Sequence, residues 1–393
     1  MSCCKHIGFL LPLIVPVVAL STTTQTYRSG VFYKHYSGKL DTAITISMDM
    51  FSQNGKISGM YYYYFPDPGN PLVNYYGKTI PLEGSLTGSA FTLNEFYREG
   101  SSFSGVFESD SVISGTWQRR ANDRAIPFRL HEDYSNGSTP FLCYSFNDQK
   151  FIMNEYHITW NSPRAKISMA LLSPELPAGN PVKDTIEAVI TRFIYGENIR
   201  FSSPTVMIDN IYADFFNAYF TATDGIESPA SRALFHWEKN ISMNVCYNEH
   251  NIISLKIEKT AFTGGSHSIT MTEYMVCDLN QGKRLTLDDV FAADYKIRLN
   301  AILNEKLRAM NGILPVEKLS QTGFFIDQIE CTENFYLNKD GVFFYYNLYH
   351  IASYNAGPTE IFVAYSELLP ILRENIAISR AFKSGSEQLG KPY

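Results

Sequence analysis

The feature that most constrains this chain is a train of short strand-like runs between residues 28 and 131. They are Gly30–Tyr36, Ala43–Met50, Ile57–Phe65, Thr79–Leu82, Ser89–Phe96, Ser102–Glu108, Val112–Gln118 and Ile126–Leu130. Turn-forming clusters separate them, such as Asn54-Gly55 and Pro66-Asp67-Pro68-Gly69-Asn70. Short strands at such spacing predict an antiparallel meander that curls into a barrel or sandwich, because a meander with one apolar face must bury it. Within it, Tyr61 to Tyr64 put two tyrosines on each face of one strand. One pair should be buried; the other should face solvent or a cavity.

Residues 132–155 are expected to form a linker, polar and broken from His131 to Pro140, with Phe141–Phe151 as a further strand or pairing segment. Residues 156–380 have the pattern of an α+β domain. Helical spacing is present over Val182–Tyr195 and Ile211–Phe220. Ile241–Tyr247, Ile252–Thr260 and Ile269–Cys277 are expected strands. A helix should begin at Asp288-Asp289, where carboxylates suit the positive helix end, and run in pieces to about Met310. Phe335–Leu337 and Val342–Tyr346 should form a hairpin around Asn338–Gly341, and Ser366–Phe382 a last helix with Pro370 in its first turn.

Residues 1–21 resemble a secretory signal. Lys5 and His6 precede the uncharged run Ile7–Leu20, and Ala19 and Ser21 are small enough to flank a cleavage site. The run falls short of the roughly 20 apolar residues a bilayer span needs. The expectation is export to the periplasm or the extracellular space, with no membrane span beyond this segment. Cys3 and Cys4 precede the apolar run rather than follow it, which argues against lipidation. Their loss would leave Cys143, Cys246, Cys277 and Cys331, which allow three pairings. Cys246 and Cys277, flanking what look like neighbouring strands, are the preferred pair; four buried free thiols are the alternative.

The 393 residues carry 33 basic and 39 acidic side chains, for a net charge of −6 and a pI near 5.8. Nucleic acid is excluded as a partner on this balance, since phosphate binding needs a clustered basic face. Hydrophobic content of 45% excludes a disordered chain. An acidic export product could instead attract a basic partner. Catalytic spacings are missing: there is no His-Glu-x-x-His, Gly-x-Ser-x-Gly, Gly-x-Gly-x-x-Gly, Walker loop or Cys-x-x-Cys, and Ser-x-x-Lys occurs only as Ser2–Lys5, ahead of the apolar run. No two of the eight histidines lie three or four residues apart, so no helix presents a metal-ligand pair. The expectation is a non-enzyme without metal or cofactor.

Two segments stand out. Phe262 to Ser268 contains Gly264-Gly265, which permit positive φ, followed by Ser266 and His267; it is a tight connection or a recognition loop. Asn347 to Pro358 contains Tyr349, His350 and Tyr354, rigid amphipathic side chains that either cap the core or anchor a partner. Gly264, Gly265, His267, Tyr349, His350 and Tyr354 are therefore the candidate binding residues.

Several motifs occur here in a recognisable order. They are Thr263-Gly264-Gly265-Ser266-His267, the strand ending at Asp278, the turn Gly282-Lys283, the stretch Leu285–Phe291, and the run from Phe335-Tyr336-Leu337 to Gly357-Pro358. Over roughly residues 156–375 the chain resembles the extracytoplasmic domain of RsiV-type anti-sigma factors and the accessory domain of PdaC-type peptidoglycan deacetylases. That resemblance implies a cell-envelope α+β domain, one that binds lysozyme in the RsiV-type proteins. No spanning helix follows a sigma-binding part and no His-x-x-x-His motif is present, so neither signalling nor deacetylation carries over. What carries over is binding to lysozyme, another wall-active enzyme, or peptidoglycan. Two other functions are kept: a small-molecule or lipid carrier using the N-terminal β domain, and an envelope hydrolase using dispersed residues.

Overall fold

The computed structural model describes residues 30–70, 74–96, 100–152, 158, 162–196, 199–225, 235–373 and 378–379. The signal expected over residues 1–21 lies outside them.

Nine strands make up the N-terminal part: β1 (Phe32–Leu40), β2 (Ile44–Gln53), β3 (Lys56–Pro66), β4 (Asn74–Tyr76), β5 (Ile80–Thr87), β6 (Ala90–Glu95), β7 (Ser102–Ser109), β8 (Val112–Gln118) and β9 (Ile126–Glu132). Their order is β2-β1-β9-β8-β7-β6-β5-β3-β4, and β2 also pairs with β3. The second pairing closes eight antiparallel strands into a barrel, with β4 added beside β3. Of the two expected outcomes, closure is the one that removes the free edges of the meander. Tight coiling needs close backbone approach, and glycines supply it: a Cβ on Gly84 would sit 1.7 Å from the Thr92 carbonyl oxygen, and one on Gly59 2.0 Å from that of Asp49.

Alternate residues fill the barrel. Ile46, Met48, Met50, Leu82, Leu93, Phe103, Ile113 and Leu130 are buried there, with Phe103 edge-on to Tyr61 at 5.0 Å and to Phe128 at 5.5 Å. Tyr61 and Tyr63 belong to this core. Of the outward pair, Tyr62 departs from expectation. The Tyr62 hydroxyl faces neither solvent nor a ligand cavity but donates to Glu249 of the C-terminal part at 2.5 Å.

The second sheet runs β10 (Phe141–Phe151), β11 (Arg164–Pro174), β12 (Trp237–Glu249), β13 (Ile252–Phe262), β14 (Ile269–Asp278) and β15 (Lys283–Leu285), side by side in chain order. The segment Phe141–Phe151 is thus a full strand of this sheet. β11 and β12 are parallel, so a crossover must join them. It contains α1 (Pro181–Tyr195) and α2 (Pro204–Ala222). The Asn180 side chain caps α1 by accepting from the Val182 N–H, and Gly196 ends it at φ 76°. α2 starts earlier than the apolar spacing predicts because Ser203 accepts from the Val206 N–H and Pro204 follows at the first position. Ile186, Ile190, Ile208, Ile211 and Phe215 share a core with Ile241, Met243, Leu255 and Ile257 of the sheet.

The other face carries a second core. Ile252 and Val276, which alternate with Ile253 and Cys277, pack with α3 (Leu287–Val290), α4 (Tyr295–Asn311) and the small meander β16 (Phe335–Leu337), β17 (Gly341–Tyr346) and β18 (Thr359–Ala364). The long helix expected over Ser366–Phe382 is not continuous. α5 (Tyr365–Leu368) passes into a 3-10 turn at Leu369–Ile371, and Leu372 is extended and bridges Phe291. Pro370 has no N–H for a helix ladder, and the strand-like path gains Ala292 N–H to Ile371 and Arg373 N–H to Val290 hydrogen bonds.

The preferred Cys246–Cys277 pairing is corrected. All four described cysteines are free, and β13 lies between the strands that carry Cys246 and Cys277. A disulfide needs Cα atoms within about 7 Å, less than two inter-strand spacings.

The barrel is not held by a loose tether. The stretch after β9 is pinned by His250 N–H to Asn136 O (2.7 Å), Asn251 N–H to Gly137 O (2.9 Å) and Thr139 N–H to Asn248 Oδ1 (2.8 Å). Val31, Tyr33 and Phe51 on the barrel join the same apolar cluster as Phe141 and Cys143.

Candidate functional site

The hairpin between β13 and β14 carries Gly264 and Gly265 at φ 94° and 110°, a conformation open to glycine and strained for other residues. That path brings the exposed His267 ring onto Tyr354, with centroids 4.0 Å apart and planes inclined by 22°. His267 Nδ1 is 3.2 Å from the Ser268 carbonyl oxygen, and Nε2 is 3.4 Å from the Tyr349 hydroxyl. The tautomer follows: Nδ1–H donates to the carbonyl, and Nε2 accepts from Tyr349. Tyr354 donates to the same carbonyl at 3.3 Å. Three of the residues singled out in sequence thus form one cluster, with Tyr349 82 positions after His267 and Tyr354 close behind it. His350 is not part of it; its ring lies 5.4 Å from Tyr346.

Tyr349 is the unusual member. Asn347 pairs with the backbone of β14 at the buried Thr272, accepting from its N–H at 2.7 Å and donating to its carbonyl oxygen at 2.8 Å. The chain then turns, with His350 N–H donating to Asn347 O, and Tyr349 in the third position has φ 63°. Positive φ at that position alone is type II turn geometry, which favours glycine or asparagine. A tyrosine there costs on the order of 1 kcal/mol or more. The ring so held is 51% exposed, so core packing does not repay the strain.

A second constellation escaped the sequence reading entirely. His35 on β1 faces Asp49 on β2 (Nδ1 to Oδ1, 2.8 Å) and Glu249 on β12 (Nε2 to Oε1, 3.4 Å). Ser47 and Tyr62 donate to the two oxygens of Glu249 at 2.5 Å each, and Tyr33 donates to Asp49 at 2.5 Å. Lys339 lies over the Tyr62 ring at 5.3 Å. Burial pulls His35 down, but the Asp49 and Glu249 carboxylates outweigh it and push the imidazole up to about 10. Burial pushes Glu249 up, and its bonds to His35, Ser47 and Tyr62 hold it below its ordinary value. The only sequence signal was the pairing of His35 with Asp49 across β1 and β2, which requires the register.

Ser47, His35 and Asp49 have the outline of a hydrolase triad, with Ser47 Oγ 3.5 Å from His35 Nε2. Two facts oppose that chemistry. An imidazole held protonated cannot take the serine proton, and the serine hydroxyl is committed to Glu249. Ser47 and His35 are also buried. The arrangement serves as an ionic lock between barrel and sheet.

Among the described residues, no three His, Cys, Asp or Glu side chains form a metal-holding group, and no helix is long and apolar enough to cross a membrane. Burial pushes the thiols of Cys143, Cys246 and Cys277 up to about 12, which keeps them protonated and unreactive.

Residues 288–366 match a family model described as a protein of unknown function, DUF3298. The match takes in Tyr349, His350 and Tyr354 and leaves the glycine loop outside. A crystal structure of a DUF3298 family member from Bacteroides fragilis NCTC 9343 is 27% identical, with a TM-score of 0.55 over 63% of this chain and 99% of that one. A DUF3298 family protein from Pseudomonas aeruginosa PAO1 is 17% identical, with a TM-score of 0.44 over 61% and 97%. No curated protein matches the chain. The matched segment, Asp288 to Ser366, holds two of the three clustered residues.

Proposed function

We propose that this is an exported, non-catalytic cell-envelope protein that binds lysozyme or peptidoglycan through the surface formed by His267, Tyr349 and Tyr354. The observation that carries the reading is the exposed Tyr349 ring held in a left-handed turn. Strain of this kind is retained where the surrounding structure over-determines it, and such positions cluster at binding sites. Export rests on the apolar run Ile7–Leu20 behind Lys5. A non-catalytic role rests on the missing catalytic spacings and on the engaged, protonated state of the triad-like cluster around His35. A carrier role is not favoured, because aromatic and aliphatic side chains occupy the barrel interior.

The test is sedimentation of the purified chain with peptidoglycan sacculi, alongside capture on immobilised lysozyme. The expected result is saturable binding to one of them. Alanine at Tyr349 and Tyr354 should weaken it by at least about tenfold, the effect of a typical aromatic anchor, with the melting temperature held. Parallel loss of binding and stability would move both rings into the supporting structure and defeat the site.

A further inference from the structure

The surface itself discriminates between the two partner classes. Between Lys259 and Glu273 on one segment, and between Asp340 and Glu360 on the other, there is no Asp, Glu, Lys or Arg. The cluster lies inside both intervals. The acidic balance of the whole chain is therefore not expressed by the segments that build this face. A basic protein steered by charge would need carboxylates at the contact. What the two segments do present is rings and small polar groups: Tyr349, and the stacked pair of His267 and Tyr354, with Thr263, Ser266, Ser353 and Asn355 exposed around them.

Resting on the proposed binding role of this face, we propose that its ligand is a neutral carbohydrate, the glycan strand of the wall, and not a basic protein. A pyranose ring has apolar C–H faces that lie against aromatic rings and a rim of hydroxyls that exchange hydrogen bonds with serine, threonine and amide groups. Tyr349 and Tyr354 stand with centroids 5.9 Å apart and planes at 38°, so they present two differently tilted ring surfaces. His267 fixes both. It stacks on Tyr354 and accepts from the Tyr349 hydroxyl, so each ring is positioned before a ligand arrives. Gly264 and Gly265 give the loop the path that puts His267 there.

Chitohexaose, a soluble oligomer of N-acetylglucosamine, is the probe, titrated calorimetrically into the full chain at low and high salt. Hen-type lysozyme is titrated in parallel. The expected result is saturable oligosaccharide binding that changes less than about twofold with salt, since a neutral ligand has no charge to screen. Tyr349→Ala and His267→Ala should each weaken it at least about tenfold, with melting temperatures held. If lysozyme saturates while chitohexaose shows no heat up to about 5 mM, where even millimolar affinity would register, the surface stands as a binding site and the glycan assignment is overturned. A steep salt dependence of the oligosaccharide would also overturn it. Failure of chitohexaose, lysozyme and sacculi alike would remove the binding reading of this face altogether.

Discussion

Raising the pH from 6.5 to 9 should cost this fold about 3 kcal/mol through His35 alone. The unfolded imidazole titrates near 6.5; in the folded chain it is pushed up to about 10. Over that window the folded chain binds more protons than the unfolded one, so stability falls as pH rises. The contribution is fully present below 6.5 and is lost as pH climbs through about 10. The slope is about half its full value at pH 6.5, where the unfolded imidazole is half protonated, and approaches roughly 1.4 kcal/mol per pH unit above it, so the window integrates to about 3 kcal/mol. The groups facing the ring are Asp49 and Ser47 from β2, Glu249 from β12, and the Tyr134 ring at 6.3 Å. Tyr33 and Tyr62 add nothing below pH 9, because burial raises them above their ordinary value and both states keep the proton. The assay is urea unfolding at stepped pH, followed by tryptophan fluorescence, since Trp117 reports on the barrel and Trp237 on the second sheet. His35→Gln should flatten the slope and lower the stability at pH 6.5 by several kcal/mol, because two buried carboxylates lose their counter-charge. Should that variant not fold, Glu249→Gln should show a shallower slope. A wild-type chain with stability flat from pH 6.5 to 9, or an unchanged slope in His35→Gln, would refute the lock.

Tyr349→Asn should hold or raise stability, by up to about 1 kcal/mol, because asparagine tolerates the left-handed turn; binding to the proposed ligand should fall, and a fall in melting temperature instead would mean the ring is structural. Gly84→Ala should destabilise the chain by about 2 kcal/mol or more in chemical denaturation, because its Cβ would meet backbone and not a movable side chain. Without reductant, the denatured chain lacking residues 1–21 should titrate as four free thiols, and the native chain should react first at Cys331, the one of the four that is not fully buried; two thiols instead of four would reinstate a disulfide.

Much of the barrel was legible because its signals are local. Alternation in Ala90–Glu95 and the turn at Asn54-Gly55 each specify a strand or its reversal without reference to distant residues. The same holds for α1, bounded by Asn180 and Gly196, and for the β16–β17 hairpin at Gly341. The last helix was misread because its fate was decided elsewhere: Leu372 leaves the helical path to pair with Phe291. The cysteine preference failed for a related reason. Strands adjacent in sequence were clear, but β13 between β12 and β14 places Cys246 and Cys277 two spacings apart.

The sequence by itself determined the elements, their alternating faces, and the residue types able to bind: a glycine-opened loop with His267, and a turn with two tyrosines. Only the tertiary structure decided that His267, Tyr349 and Tyr354 meet while His350 turns away, and that Tyr62 and Glu249 find each other across 187 residues. Backbone preference and hydrophobic period act over a few residues, and a single chain records them. Contact between distant side chains depends on strand register and sheet packing, which arise from the summed burial of the whole core and are written at no one position.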